Sequence, residues 1–148
     1  MEKVLFLCTG NSCRSQMAEG WAKALAGDVF EAYSAGIEKH GINPSAAWVM
    51  AESGVDITGQ RSKVVEELPA QTFDLVITLC GHASENCPYF PGGAQRRHVG
   101  FDDPPSLARG VASEEEALGH YRRVRDEIRD FILDLRAELS VEATTKED

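Results

Sequence analysis

The 148 residues, 43% hydrophobic and 26% charged, suit one soluble domain, since single cores run to about 100–200 residues. A net charge of −9 argues against a nucleic-acid partner, whose phosphates demand clustered Lys and Arg. No apolar run approaches the roughly 20 residues that span a bilayer, so no membrane partner is expected.

In chain order, Lys3 to Cys8 is a short apolar run that reads as a buried strand and breaks at Thr9-Gly10-Asn11-Ser12. A helix follows from about Ser15, with Met17, Trp21 and Leu25 spaced by four and Gly27 as its stop. Val29 to Ser34 reads as a second strand ending at Gly36. Asn43 then caps a helix that has Pro44 at its first position and runs to Gly54. A shorter helix is expected from Ser62 to Leu68, before Pro69. Phe73 to Leu79 is a buried strand, and a weaker one lies near Arg96 to Val99. Ser113 and Glu116 form a capping box for the last helix. From that cap to Leu139 the helix extends for about 40 Å at the helical rise, with an apolar stripe of Leu118, Tyr121, Val124, Ile128, Phe131, Ile132, Leu135 and Leu139.

Strands alternating with helices predict a three-layer α/β/α fold on a parallel sheet, with chemistry at the carboxyl ends of the strands. One domain is expected over residues 1–139, with a frayed polar tail at 140–148. Met1 to Leu7 is too short and too soon polar for a secretory signal, so a cytoplasmic protein is expected, as a monomer. In a reducing compartment the cysteines at 8, 13, 80 and 87 point to catalytic, redox or metal roles rather than permanent disulfides.

Cys8-Thr9-Gly10-Asn11-Ser12-Cys13-Arg14-Ser15 puts a thiol and a guanidinium around a turn that opens a helix. Such a turn aims successive backbone N–H groups at an anion, and the helix start adds about half a positive charge. Arg14 adds a fork of donors matched to a tetrahedral oxyanion, and the same field favours the thiolate of Cys8. Gly10 permits the curvature, and Ser15 can donate to the sulfur.

The run Cys-x5-Arg-Ser after the first strand resembles the low-molecular-weight protein tyrosine phosphatase superfamily. The fuller stretch Asn11 to Gly20 is similar to its arsenate reductase branch, and the likeness covers residues 3 to 139. It implies a four-stranded parallel sheet, Cys8 as nucleophile, and the loop Thr9 to Ser15 as the seat of arsenate, with phosphate or sulfate competing. It also maps the general acid to Asp103, the second of the carboxylates Asp102 and Asp103 before Pro104.

Cys80 and Cys87 separate a reductase from a hydrolase, which needs no thiol beyond its nucleophile. The Cys-x6-Cys pair resembles that of thioredoxin-coupled arsenate reductases. It implies a Cys8–Cys80 and then a Cys80–Cys87 disulfide, reduced by thioredoxin, with glutaredoxin or mycothiol coupling as the alternatives. A helix over residues 81–87 would hold the last two cysteines about 10 Å apart, so that segment is expected to refold during turnover.

Cys13 either protects Cys8 by pairing with it or packs beneath the loop. A rival zinc reading of Cys80, His82, Cys87 and His98 fits poorly, because structural zinc pairs are usually about two to four residues apart. Members of the branch hold a potassium ion with Asn, Glu, Ser and Asp. Asn11, Glu19 and Ser34 match, but the fourth position is Lys63, whose ammonium is expected to pair with Glu19 instead. No metal and no cofactor are therefore expected. His40, His98 and His120 read as ordinary histidines, and Trp21, Trp48 and Phe101 as core. A phosphomonoesterase and a non-enzymatic redox sensor are the alternative functions.

Overall fold

The computed structural model describes residues 1–70, 72–87 and 93–147, with side chains described as far as Val141. Four strands, β1 (Glu2–Cys8), β2 (Phe30–Gly36), β3 (Leu75–Thr78) and β4 (Gln95–His98), form one parallel sheet in the order β2-β1-β3-β4. Val4, Leu5, Phe6 and Leu7 of β1 are all fully buried. Successive strand residues point to opposite faces, so both faces of the sheet are covered. Each such side chain contributes about 1.5–3 kcal/mol by burial, which makes β1 the centre of the core.

The helices are α1 (Arg14–Ala26), α2 (Pro44–Glu52), α3 (Gly81–Glu85), α4 (Pro104–Ala108) and α5 (Glu114–Glu147). α1 packs on β1, β2 and α5, and α5 also meets α2 and α4. Tyr121, Val124, Ile128, Ile132, Leu135 and Leu139 of the α5 stripe are buried. The Trp21 indole N–H donates to the Arg125 carbonyl (3.1 Å) and ties α1 to that helix. Asn43 caps α2 as expected, its side chain accepting from the N–H groups of Ser45 and Ala46.

Several expectations need correction. The segment from Ser62 to Leu68 is not a helix but extended chain with one 3-10 turn at Val65–Glu67. Its backbone is used elsewhere: the Lys63 carbonyl accepts from the Gly36 N–H (2.8 Å), and Val64 forms a parallel bridge to Gly36. Trp48 is 64% exposed rather than core, on the outer side of α2, and Phe101 is only partly buried. The α5 backbone is helical to Glu147, with no Gly or Pro after Leu139 to stop it. The short helix α4 was not anticipated.

Candidate active site

Cys8 is the last residue of β1, and Cys80 lies two residues beyond β3, the neighbouring strand. The Leu79 N–H donates to the Leu7 carbonyl (2.9 Å), which keeps the two strand ends level. The Cys80 sulfur consequently lies 3.3 Å from the Thr9 hydroxyl, beside the loop that begins at Cys8. All four cysteines are free thiols.

The loop is held from outside by its carbonyls. Cys8 O accepts from Ile37 N–H, Thr9 O from Glu38 N–H, Gly10 O from His40 N–H and Ser12 O from Asn43 N–H, at 2.9–3.2 Å. Asn11 O accepts from the Gln16 side chain (3.1 Å). Each carbonyl shares a peptide plane with the next residue's N–H, which points the opposite way. The N–H groups of Thr9, Gly10, Asn11, Ser12 and Cys13 therefore turn inward, a concave set of donors at the start of α1.

Asn11 fixes the curve. It has φ 47°, in the left-handed region that Asn tolerates better than most residues. Its buried amide donates to the hydroxyls of Ser15 (2.8 Å) and Ser34 (3.0 Å), and its oxygen accepts from Gln16 (2.9 Å) and the Lys63 N–H (2.9 Å). That is its full hydrogen-bonding capacity. Ser15, already accepting from Asn11, stands 2.8 Å from the Cys8 sulfur with its own proton available to it.

Arg14 opens α1 with its side chain only 12% exposed. It donates to the Phe101 carbonyl (2.9 Å) and lies 3.5 Å from an Asp103 carboxylate oxygen. Asp103 heads α4, and its other oxygen accepts from Ser106 (2.7 Å). Cys8, Thr9, Gly10, Ser12, Cys13, Arg14 and Asp103 line one pocket of 360 Å³ together with His40, Asn43, Pro105 and Arg109. Asp102 turns away and pairs with Arg123 on α5 (3.0 Å). Burial pushes the Cys13 thiol well up, reinforced by Cys8 and Asp103, so Cys13 is held protonated.

Cys87 is not brought to this pocket. It opens on a separate cleft of 230 Å³ with Thr78, Ser84, Arg96, Arg97 and His98, and burial raises its thiol against the opposing charge of Arg96. Among the described residues no three His, Cys, Asp or Glu side chains gather as a metal site. Glu19, 6% exposed, accepts from Ser34 and pairs with Lys23, and the Lys63 ammonium lies 3.6 Å away. Burial lowers Lys63 from the ordinary lysine value, while Glu19 works against that.

Sequence reasoning missed His40, Asn43, Pro105 and Arg109 as pocket walls. The signal for the first two was available: β2 pairs with β1 along its length, so the chain leaving β2 must flank the loop leaving β1.

The family model described as low molecular weight phosphotyrosine protein phosphatase matches residues 3–145, and the chain belongs to that family. Within it, the chain is 54% identical over 125 residues to an arsenate reductase of Halalkalibacterium halodurans, covering 84% of this chain and 88% of the relative. A solved arsenate reductase in the oxidized state superposes with a TM-score of 0.77 at 34% identity, over 94% of this chain and 99% of that one. A thioredoxin-dependent arsenate reductase of Corynebacterium glutamicum gives 0.65 at 26% identity, over 96% of this chain and 63% of that one.

Proposed function

We propose that the protein reduces arsenate to arsenite, through a disulfide cascade that thioredoxin resets. The loop amides and Arg14 seat the oxyanion, and the Cys8 thiolate attacks arsenic while Asp103 protonates the departing oxygen. The Cys80 thiolate then attacks the Cys8 sulfur. A sulfur–sulfur bond forms, the sulfur–arsenic bond breaks, and its electron pair stays on arsenic, which leaves as arsenite. Cys87 attacks Cys80, freeing Cys8 and leaving a Cys80–Cys87 disulfide for the dithiol of thioredoxin.

The observation that carries this reading is the Cys80 sulfur 3.3 Å from Thr9, next to the nucleophile, in a family whose phosphatase chemistry requires no second thiol. Cys87 stands apart, and a disulfide needs Cα atoms about 5–6 Å from each other, so α3 must unwind before the second exchange. Thioredoxin as reductant draws its support from the Corynebacterium glutamicum neighbour. Phosphate and sulfate compete for the same donors. A cytoplasmic monomer is part of the proposal; no helix among the described residues is long and apolar enough to cross a membrane.

The test is arsenite production with a thioredoxin system and, separately, with a glutaredoxin system. Turnover with thioredoxin alone is expected. Cys80→Ser must abolish arsenate turnover while sparing hydrolysis of p-nitrophenyl phosphate. Arsenate turnover surviving in that variant overturns the cascade.

A further inference from the structure

The mouth of the pocket carries a second arginine with no carboxylate of its own. Arg109 follows α4, its backbone N–H on the Ser106 carbonyl (3.4 Å), and it lines the same cavity as Cys8, Ser12 and Arg14. Every arginine of α5 holds a carboxylate, and Arg14 is shared between Asp103 and the Phe101 carbonyl. The Arg109 guanidinium makes no ion pair or side-chain hydrogen bond among the described residues. It is an uncompensated cation at the mouth of an anion pocket, in a chain whose net charge of −9 repels anions.

Its position decides which anion profits. A tetrahedral oxyanion seated on the loop turns three oxygens toward the inward N–H groups and Arg14. The fourth is left to the rest of the lining, which includes Asp103, Pro105 and Arg109. In inorganic arsenate that fourth position is a charged or hydroxyl oxygen, whereas in a phosphomonoester it carries an organic group. We propose that Arg109 is a specificity-determining residue that grips the outward oxygen and so favours free inorganic oxyanions over esters. The inference rests on the reductase reading for its substrate, but its binding half stands apart from turnover.

In Arg109→Ala, arsenate kcat/KM is expected to fall about tenfold more than kcat/KM for p-nitrophenyl phosphate, mostly through KM, as loss of one charge-assisted bond implies. Arg109→Lys should restore part of the loss, which damage to α4 would not allow. In the Cys8→Ser protein, calorimetry should show inorganic phosphate bound more weakly once Arg109→Ala is added, and with a flatter salt dependence. Equal losses for arsenate and ester, or unchanged phosphate affinity, overturn the proposal. If the native protein fails to reduce arsenate, the function falls while the phosphate titration still decides the role of Arg109.

Discussion

The Ser15 hydroxyl stands 2.8 Å from the Cys8 sulfur and takes a hydrogen bond from the Asn11 amide, which leaves its own proton free to reach that sulfur. A donor held in this way stabilises an anionic sulfur, and charge-assisted bonds are worth roughly twice neutral ones. Ser15→Ala should slow alkylation of Cys8 by iodoacetamide at neutral pH and lower arsenate kcat/KM about tenfold. An unchanged alkylation rate would mean the bond does not act on the thiolate.

Asp103 sits 3.5 Å from Arg14 and lines the pocket with one oxygen occupied by Ser106. Asp103→Asn removes the proposed proton source and should cut arsenate kcat about 100-fold, the usual scale for a general acid. It also removes a negative charge that competes for Arg14, so phosphate affinity measured by calorimetry should hold or rise. If affinity collapses together with rate, Asp103 shapes the pocket rather than delivering the proton.

Lys63 places an ammonium near Glu19, whose carboxylate accepts from Ser34, and the Ser34 hydroxyl accepts in turn from Asn11. Initial rates should be equal in potassium and sodium chloride at one ionic strength. Lys63→Asp exchanges the resident cation for an oxygen ligand and should make thermal stability rise with potassium more than with sodium. A potassium requirement in the native protein would contradict the substitution of ion by ammonium.

Glu52 ties α2 to α5. Its carboxylate accepts from Arg122 and Arg125, and hydrogen bonding to Arg122 chiefly holds it below the ordinary value of 4.5. A carboxylate lowered by folding contributes stability above its unfolded value and loses it as pH falls through the lowered folded value. The Tm of the native protein should therefore drop more steeply below pH 4.5 than that of Glu52→Gln, and high salt should narrow the difference because the group is exposed. Parallel curves would show the cluster to be energetically idle.

The parts of this molecule that repeat a local pattern were legible in the residues. The apolar run to Cys8, the turn at Gly10 and the spaced Met17 and Trp21 announce a strand, loop and helix, and the structure has them. The Asn43 cap and the α5 stripe were equally plain. What failed depended on distant partners. Ser62 to Leu68 has helical composition, yet Gly36 and Asn11 claim its backbone from across the fold. Trp48 looks like core by chemistry, but buried Ala46, Val49 and Met50 supply the inner side of α2 without it. The pocket residues His40 and Arg109 carry no motif of their own; only the arrangement of strand ends and the turn of α4 brings them to Cys8.

Cys80 is more than a thiol waiting beside the loop, for its sulfur accepts the Ala83 N–H (3.4 Å) and so caps the five-residue helix α3. A helix this short has little besides its cap to hold it together. In the proposed cascade a bond from that sulfur to Cys8 turns it away from Ala83 and removes any thiolate charge from it, so the latch on the segment carrying Cys87 weakens. The first oxidation would thus set its own successor in motion: the atom that closes one linkage is the same atom whose departure slackens the stretch of chain that must supply the next.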